Sequence, residues 1–205
     1  MRLFVGITPS SEAISHAAGA VDRIASTTPD VRWVTPQRWH VTMAFLGEVD
    51  PDRVPVLAAR LDAVAAAQAP LEGFRLARAG TFRGVLWLGI ADAELRSGCA
   101  TRRPLPTGVQ LATLAGEVQN EMRAAGIPVE RRPWSPHLTI GRWRPSPERD
   151  AVAQRAARAL VDYAGPAFDV HALQLVHSVT GPHPEFRDLH VAHLGSGADH
   201  GDGTT

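Results

Sequence analysis

The chain contains no lysine, a single cysteine and no apolar run approaching the ~20 residues that cross a bilayer. Cys99 cannot form an intrachain disulfide, and no second thiol is present for a zinc cluster, so a reducing compartment, the cytoplasm, is expected. Met1 to Thr8 lack the basic start, long apolar stretch and small-residue cleavage site of a secretory leader, which leads to the expectation of a soluble protein. An excess of one charge is missing too. Basic and acidic residues number 21 each, so the net charge is zero and any contact with nucleic acid should be local rather than a coat along a duplex. All the basic residues are arginine, a bias of composition to which no function is attached. What is present is ordinary globular content, 205 residues of which 44% are hydrophobic and 20% charged, enough to bury a core in one domain or one domain with two lobes. A monomer is the default expectation.

Periodicity divides the chain into alternating elements. Arg2–Thr8 reads as a buried strand and Glu12–Ala25 as a helix. Trp39–Leu46 alternates Trp39, Val41, Met43 and Phe45 on one side with His40, Thr42, Ala44 and Leu46 on the other, which is a strand. A helix follows from Pro51-Asp52 to about Ala67, then two strands, Phe74–Ala79 and Val85–Ile90, about a turn at Arg83-Gly84. Ala91–Thr107, with Arg102-Arg103, has no clean period and is expected to be loop. Gly108–Ala125 is a helix by spacing and His137–Trp143 a strand. Ser146-Pro147 opens a helix to about Tyr163, and Phe168–Val179 and Asp188–Leu194 read as closing strands. The expectation is an α+β domain over residues 1–195 with two similar lobes of mostly antiparallel sheet, external helices and a cleft between the lobes, and a disordered tail over 196–205.

Trp39-His40-Val41-Thr42-Met43 and Pro136-His137-Leu138-Thr139-Ile140 share the pattern His-x-Thr-x, one copy in each half of the chain. On a strand, residues i and i+2 face the same way, so each copy presents an imidazole beside a hydroxyl. Such a quartet suits displacement at a phosphodiester, where a nucleophile loses a proton, a leaving oxygen gains one and negative charge on the phosphoryl oxygens must be held. With an ordinary pKa of about 6.5, one imidazole can be neutral while another is protonated near pH 7. The threonine hydroxyls can donate to phosphoryl oxygens. Neither a metal nor a cofactor is required by this chemistry. No acidic residue lies within either motif, which argues against a metallohydrolase using His40 and His137 as ligands.

These paired motifs resemble those of the 2H phosphoesterase superfamily, and within it the bacterial and archaeal RNA 2′,3′-cyclic phosphodiesterases once called 2′-5′ RNA ligases. The resemblance extends over Arg2-Leu3-Phe4-Val5-Gly6-Ile7, the segment from Trp39 to Gly47, Val85-Leu86-Trp87-Leu88-Gly89 and the segment from Arg132 to Arg142. It implies hydrolysis of a terminal 2′,3′-cyclic phosphate on RNA to a 2′-phosphomonoester, with a weak reversible ligation seen in some relatives. It further implies that His40 is the general acid that protonates the departing 3′ oxygen, His137 the base that activates water, and Thr42 and Thr139 the phosphate ligands. The sequence itself treats the two histidines symmetrically.

Four further residues are candidate substrate contacts. Arg132 could reach phosphate from a loop, and Phe45 or Trp134 could stack on a base. Arg142 stands where similar proteins carry an arginine, although its parity on a straight strand is opposite to that of His137 and Thr139. One departure is visible: relatives often place a tyrosine near the last strand, where this chain has Glu185-Phe186-Arg187. His16, His171, His177, His183, His190, His193 and His200 fall in no repeated pattern and are assigned no role. The rival functions are a cyclic phosphodiesterase acting on a nucleotide such as an ADP-ribose cyclic phosphate, and a binding module that holds an RNA end without turnover.

Overall fold

The computed structural model describes residues 1–82, 84–93, 109–131, 133–179, 181 and 184–195. Arg132, Cys99, Arg102, Arg103 and the expected tail 196–205 lie outside the described residues. The order is β1 (Arg2–Ile7), α1 (Ser11–Ala25), β2 (Arg32–Trp33), β3 (Val41–Glu48), α2 (Val54–Ala66), β4 (Leu71–Phe82), β5 (Val85–Asp92), α3 (Val109–Ala124), β6 (His137–Arg142), α4 (Pro147–Ala159), β7 (Ala164–Val170), β8 (Ala172–Val179) and β9 (Glu185–His193).

Helix starts follow local chemistry. Ser10 caps α1 by accepting from the Ala13 N–H at 3.2 Å, and Ser146 caps α4 by accepting from the Arg149 N–H at 3.3 Å, with Pro147 in the first turn. Both helices bury small residues, Ala13, Ala17 and Ala20 in α1 and Ala153 and Ala156 in α4, so they sit close against the sheet. In α2 and α3 the buried face is larger, with Leu57, Leu61 and Val64 on one and Leu111, Leu114, Val118 and Met122 on the other. The last expected helix is shorter than its period suggested, because the chain leaves α4 at Leu160 and tightens into a turn in which the Tyr163 N–H donates to the Leu160 carbonyl at 3.1 Å.

The strands form one sheet in the order β7-β4-β5-β6-β3-β1-β8-β9, with β2 beside β6, and every pairing is antiparallel among the described residues. The expected strand Phe168–Val179 is two strands six places apart in that order, separated only by His171. A flat sheet would hold β7 and β8 about 29 Å apart, six spacings of about 4.8 Å, and the two residue steps from Val170 to Ala172 span about 7 Å at most. The sheet must therefore curl, and it does so into a half-barrel with the helices outside. What sequence periodicity suggested as two lobes is a pair of four-stranded halves within this one sheet, β7-β4-β5-β6 and β3-β1-β8-β9. They meet at β3 and β6 through a single residue pair, Val41 opposite Leu138.

Candidate active site

That junction brings the two His-x-Thr motifs side by side. Val41 and Leu138 are fully buried beneath it, and antiparallel order places His40 on the Thr139 side of the pair and Thr42 on the His137 side. The two imidazoles are close enough that the charge of His137 depresses ionisation of His40.

Each ring is oriented by the same device. His40 Nδ1 lies 3.0 Å from the Arg38 carbonyl, and His137 Nδ1 lies 2.9 Å from the Ser135 carbonyl, in both cases the residue two positions back. A carbonyl can only accept, so each Nδ1 carries a hydrogen, and in the neutral ring Nε2 is the nitrogen with the lone pair. Nε2 is thus the basic nitrogen of each neutral ring.

The surroundings of the two rings differ. Phe4 stacks on His40 with centroids 4.3 Å apart and planes 28° from parallel, while Phe186 meets it edge-on at 4.9 Å. Phe82 meets His137 edge-on at 5.0 Å. Burial among Phe4, Phe186 and the strands lowers the pKa of His40 from 6.5 to about 4, against the raising effect of the bond to the Arg38 carbonyl. The positive charges of His137, Arg142 and Arg38 add to the lowering. His40 is neutral at pH 7 in the unliganded protein.

Simple alternation misplaces two candidate residues, and the register explains why. In β6, Trp87 pairs with Thr139, Leu86 with Gly141 and Val85 with Arg142, so Ile140 is an extra, bulged residue. The bulge reverses parity, and Arg142 joins Thr139 on the face that carries His137. β3 does the same thing one residue after its own threonine: Gly6 pairs with Thr42, Val5 with Ala44 and Phe4 with Phe45, with Met43 bulged. Phe45, 48% exposed, therefore shares the face of Thr42. Each bulge is tied down, since the Ile140 carbonyl accepts from the Val34 N–H at 2.9 Å and the Met43 carbonyl from Gln119 Nε2 of α3 at 3.0 Å. In both motifs the residue three positions after the threonine reaches the site, Phe45 in one and Arg142 in the other.

Trp134 plays a structural part. Its indole N–H donates to the Thr42 carbonyl at 2.9 Å, lashing the approach to β6 onto the first motif. The floor beside Thr139 is the Trp87 ring, which crosses Gly80 so closely that a Cβ there would fall inside it. Sequence reasoning missed Phe4 and Phe82, and met Phe186 only as a departure from the tyrosine that relatives place near the last strand. Phe4 could have been found from parity, because Leu3, Val5 and Ile7 claim the helix-covered face of β1 and leave Phe4 and Gly6 to the other. Phe82 and Phe186 depend on long-range hairpin placement that no local period encodes.

Among the described residues, no three His, Cys, Asp or Glu side chains gather as a metal site would require, and no helix is long and apolar enough to cross a membrane.

A family model described as the 2′-5′ RNA ligase superfamily matches residues 13–182. The chain belongs to this superfamily. Among its relatives are proteins named RNA 2′,3′-cyclic phosphodiesterase. That of Geobacillus stearothermophilus is 27% identical over 192 residues, covering 91% of this chain and 55% of the relative, so the chain spans about half the length of that protein. The Archaeoglobus fulgidus relative is 25% identical over 203 residues, covering 93% of this chain and 99% of its own length. Among solved structures, a Thermus thermophilus protein superposes with a TM-score of 0.69 at 22% identity, covering 95% of this chain and 98% of that one. E. coli LigT complexed with 3′-AMP gives 0.66 at 21% identity, covering 94% and 97%. These superpositions establish the shared fold.

Proposed function

We propose that this 2′-5′ RNA ligase superfamily member hydrolyses 2′,3′-cyclic phosphate termini of RNA to 2′-phosphomonoesters, with His40 and His137 as its acid–base pair. The observation that supports this reading is the matched pinning of both Nδ1 atoms on neighbouring strands, which makes Nε2 the basic nitrogen of each neutral ring, as two proton transfers at one phosphate require. Water adds to phosphorus as His137 Nε2 takes its proton, the bond from phosphorus to O3′ breaks, and His40 Nε2 supplies the proton that O3′ gains. Thr42, Thr139 and Arg142 hold the equatorial oxygens, and Phe45 offers a face to the terminal base.

A general acid must enter the step protonated, and His40 in the unliganded protein is not. The substrate supplies the missing charge: a phosphate anion beside the ring opposes burial and the arginines alike and favours the imidazolium. His40 is then charged only when there is a phosphate to cleave.

The test is incubation of the protein, in EDTA, with a short RNA ending in a 2′,3′-cyclic phosphate. A 2′-phosphate formed by wild type, with turnover reduced about 10²- to 10⁴-fold in His40→Ala and in His137→Ala, is the expected result. An RNA end bound by wild type but never opened would replace the hydrolase reading with that of a binding module, and turnover lost only through EDTA would point to metal chemistry.

A further inference from the structure

Positive charge collects beside the His40 motif in excess of what one cyclic phosphate needs. β2 is a two-residue strand, and its register sets Arg32 directly opposite Arg142. Like charges opposed across an antiparallel pair are destabilising. Arg38 lies over the Phe186 ring at 4.7 Å, and its Nε is buried with no hydrogen-bond partner among the described residues. Arg2 lies over the Phe45 ring at 5.0 Å. Desolvation first, and then the charges of Arg32, Arg38 and Arg2, lower the pKa of Arg142, so all three act on its guanidinium. None of the four forms an ion pair among the described residues, whereas Arg60, Arg149 and Arg187 pair with Glu121, Asp30 and Glu185. Glu48, across from Arg2 in the sheet, is 3.5 Å from the Met1 ammonium.

A 2′,3′-cyclic phosphate carries one negative charge, and the threonines with Arg142 are enough to hold it. We propose that Arg2, Arg32 and Arg38 form, next to Arg142, a second anion subsite that takes a phosphate on the 5′ side of the nucleotide bearing the cyclic phosphate. This rests on the hydrolase reading above. The occupant's charge relieves the repulsion between Arg32 and Arg142, and the guanidinium forks suit phosphate oxygens. Two sources share this chemistry: the internucleotide phosphate of an RNA chain and the 5′-phosphate of a single nucleotide.

The experiment compares kcat/KM for adenosine 2′,3′-cyclic phosphate, the same nucleotide with a 5′-phosphate, and a diadenylate ending in the cyclic phosphate. In wild type, at least one 5′-side phosphate should raise kcat/KM about tenfold or more, the size of one or two charge-assisted hydrogen bonds. Gain with the 5′-phosphorylated mononucleotide assigns the subsite to single nucleotides as well, and gain with the dinucleotide alone assigns it to RNA chains. Combined Arg2→Gln and Arg32→Gln should erase the gain, and the Arg2→Lys, Arg32→Lys chain, which keeps the charges, should retain part of it. No gain in wild type, or a gain that survives the glutamine substitutions, overturns the proposal. If none of the three compounds is opened, the hydrolase reading fails instead, and the subsite is decided by binding of a fluorescein-labelled tetraadenylate at several salt concentrations. The slope of log affinity against log salt should then be shallower in the glutamine chain by about 0.7 for each phosphate that the arginines no longer neutralise, and an unchanged slope overturns the subsite.

Discussion

Placing an anion between the two motifs should turn His40 from neutral to charged, and the size of that change can be worked out. In the free protein the imidazole titrates at about 4, because burial against Phe4 and Phe186 and the neighbouring positive charges all disfavour its protonated form. A single negative charge about 4 Å from the ring is worth about 4 kcal/mol at an effective dielectric of about 20, or about three pH units. That moves the midpoint to about 7, where a general acid is useful. Dimethyl phosphate is a suitable probe, since it keeps a single negative charge over this range. The ring nitrogens of His40, assigned by comparison with His40→Gln, are followed by NMR from pH 3.5 to 8.5 with and without dimethyl phosphate. The expected result is a midpoint near 4 without the anion and near 7 with it. An ordinary midpoint near 6.5 in the free protein would refute the argument from burial and repulsion, and a low midpoint that the bound anion leaves in place would refute the idea that substrate charges the acid.

Three other outcomes follow from the same geometry. Between pH 6.5 and about 4 the unfolded chain binds a proton that folded His40 refuses, so stability should drop by about 3 kcal/mol as the pH is lowered through that window, and urea unfolding of His40→Gln should lack this part of the dependence. Arg142→Lys keeps the charge and loses the planar fork, so KM for the cyclic-phosphate RNA should rise about tenfold in steady-state kinetics. Gly80→Ala drives a methyl group into the Trp87 ring and should cost about 1–3 kcal/mol in thermal or urea unfolding, with the loss eased by Trp87→Leu in the same chain.

Much of the site could be read from the chain because it is local. A period of two puts His40 with Thr42 and His137 with Thr139 whatever the strands later pair with, and the helix starts at Ser10 and Ser146 are side-chain effects within three residues. The failures share a cause. Phe45 and Arg142 look misdirected on an ideal strand, and only the pairing register with β1 and β5 exposes the bulges at Met43 and Ile140 that turn them round. Phe168–Val179 looks continuous because one residue interrupts it, yet its halves lie six places apart in a curled sheet. The bond from the Trp134 N–H to the Thr42 carbonyl joins segments 92 positions apart and is likewise invisible to local pattern. Arg32 drew no attention, because its meaning lies in the strand across from it.

The division of labour between the histidines is tested most directly by a substrate whose leaving atom needs no proton. An RNA end whose cyclic phosphate carries sulfur in place of O3′ expels a thiolate, which departs unaided. With this substrate His40→Ala should recover most of the wild-type rate of ring opening, while His137→Ala should stay slow because water must still be deprotonated. Recovery in His137→Ala instead, or equal recovery in both, would contradict the assignment of His40 as acid and His137 as base.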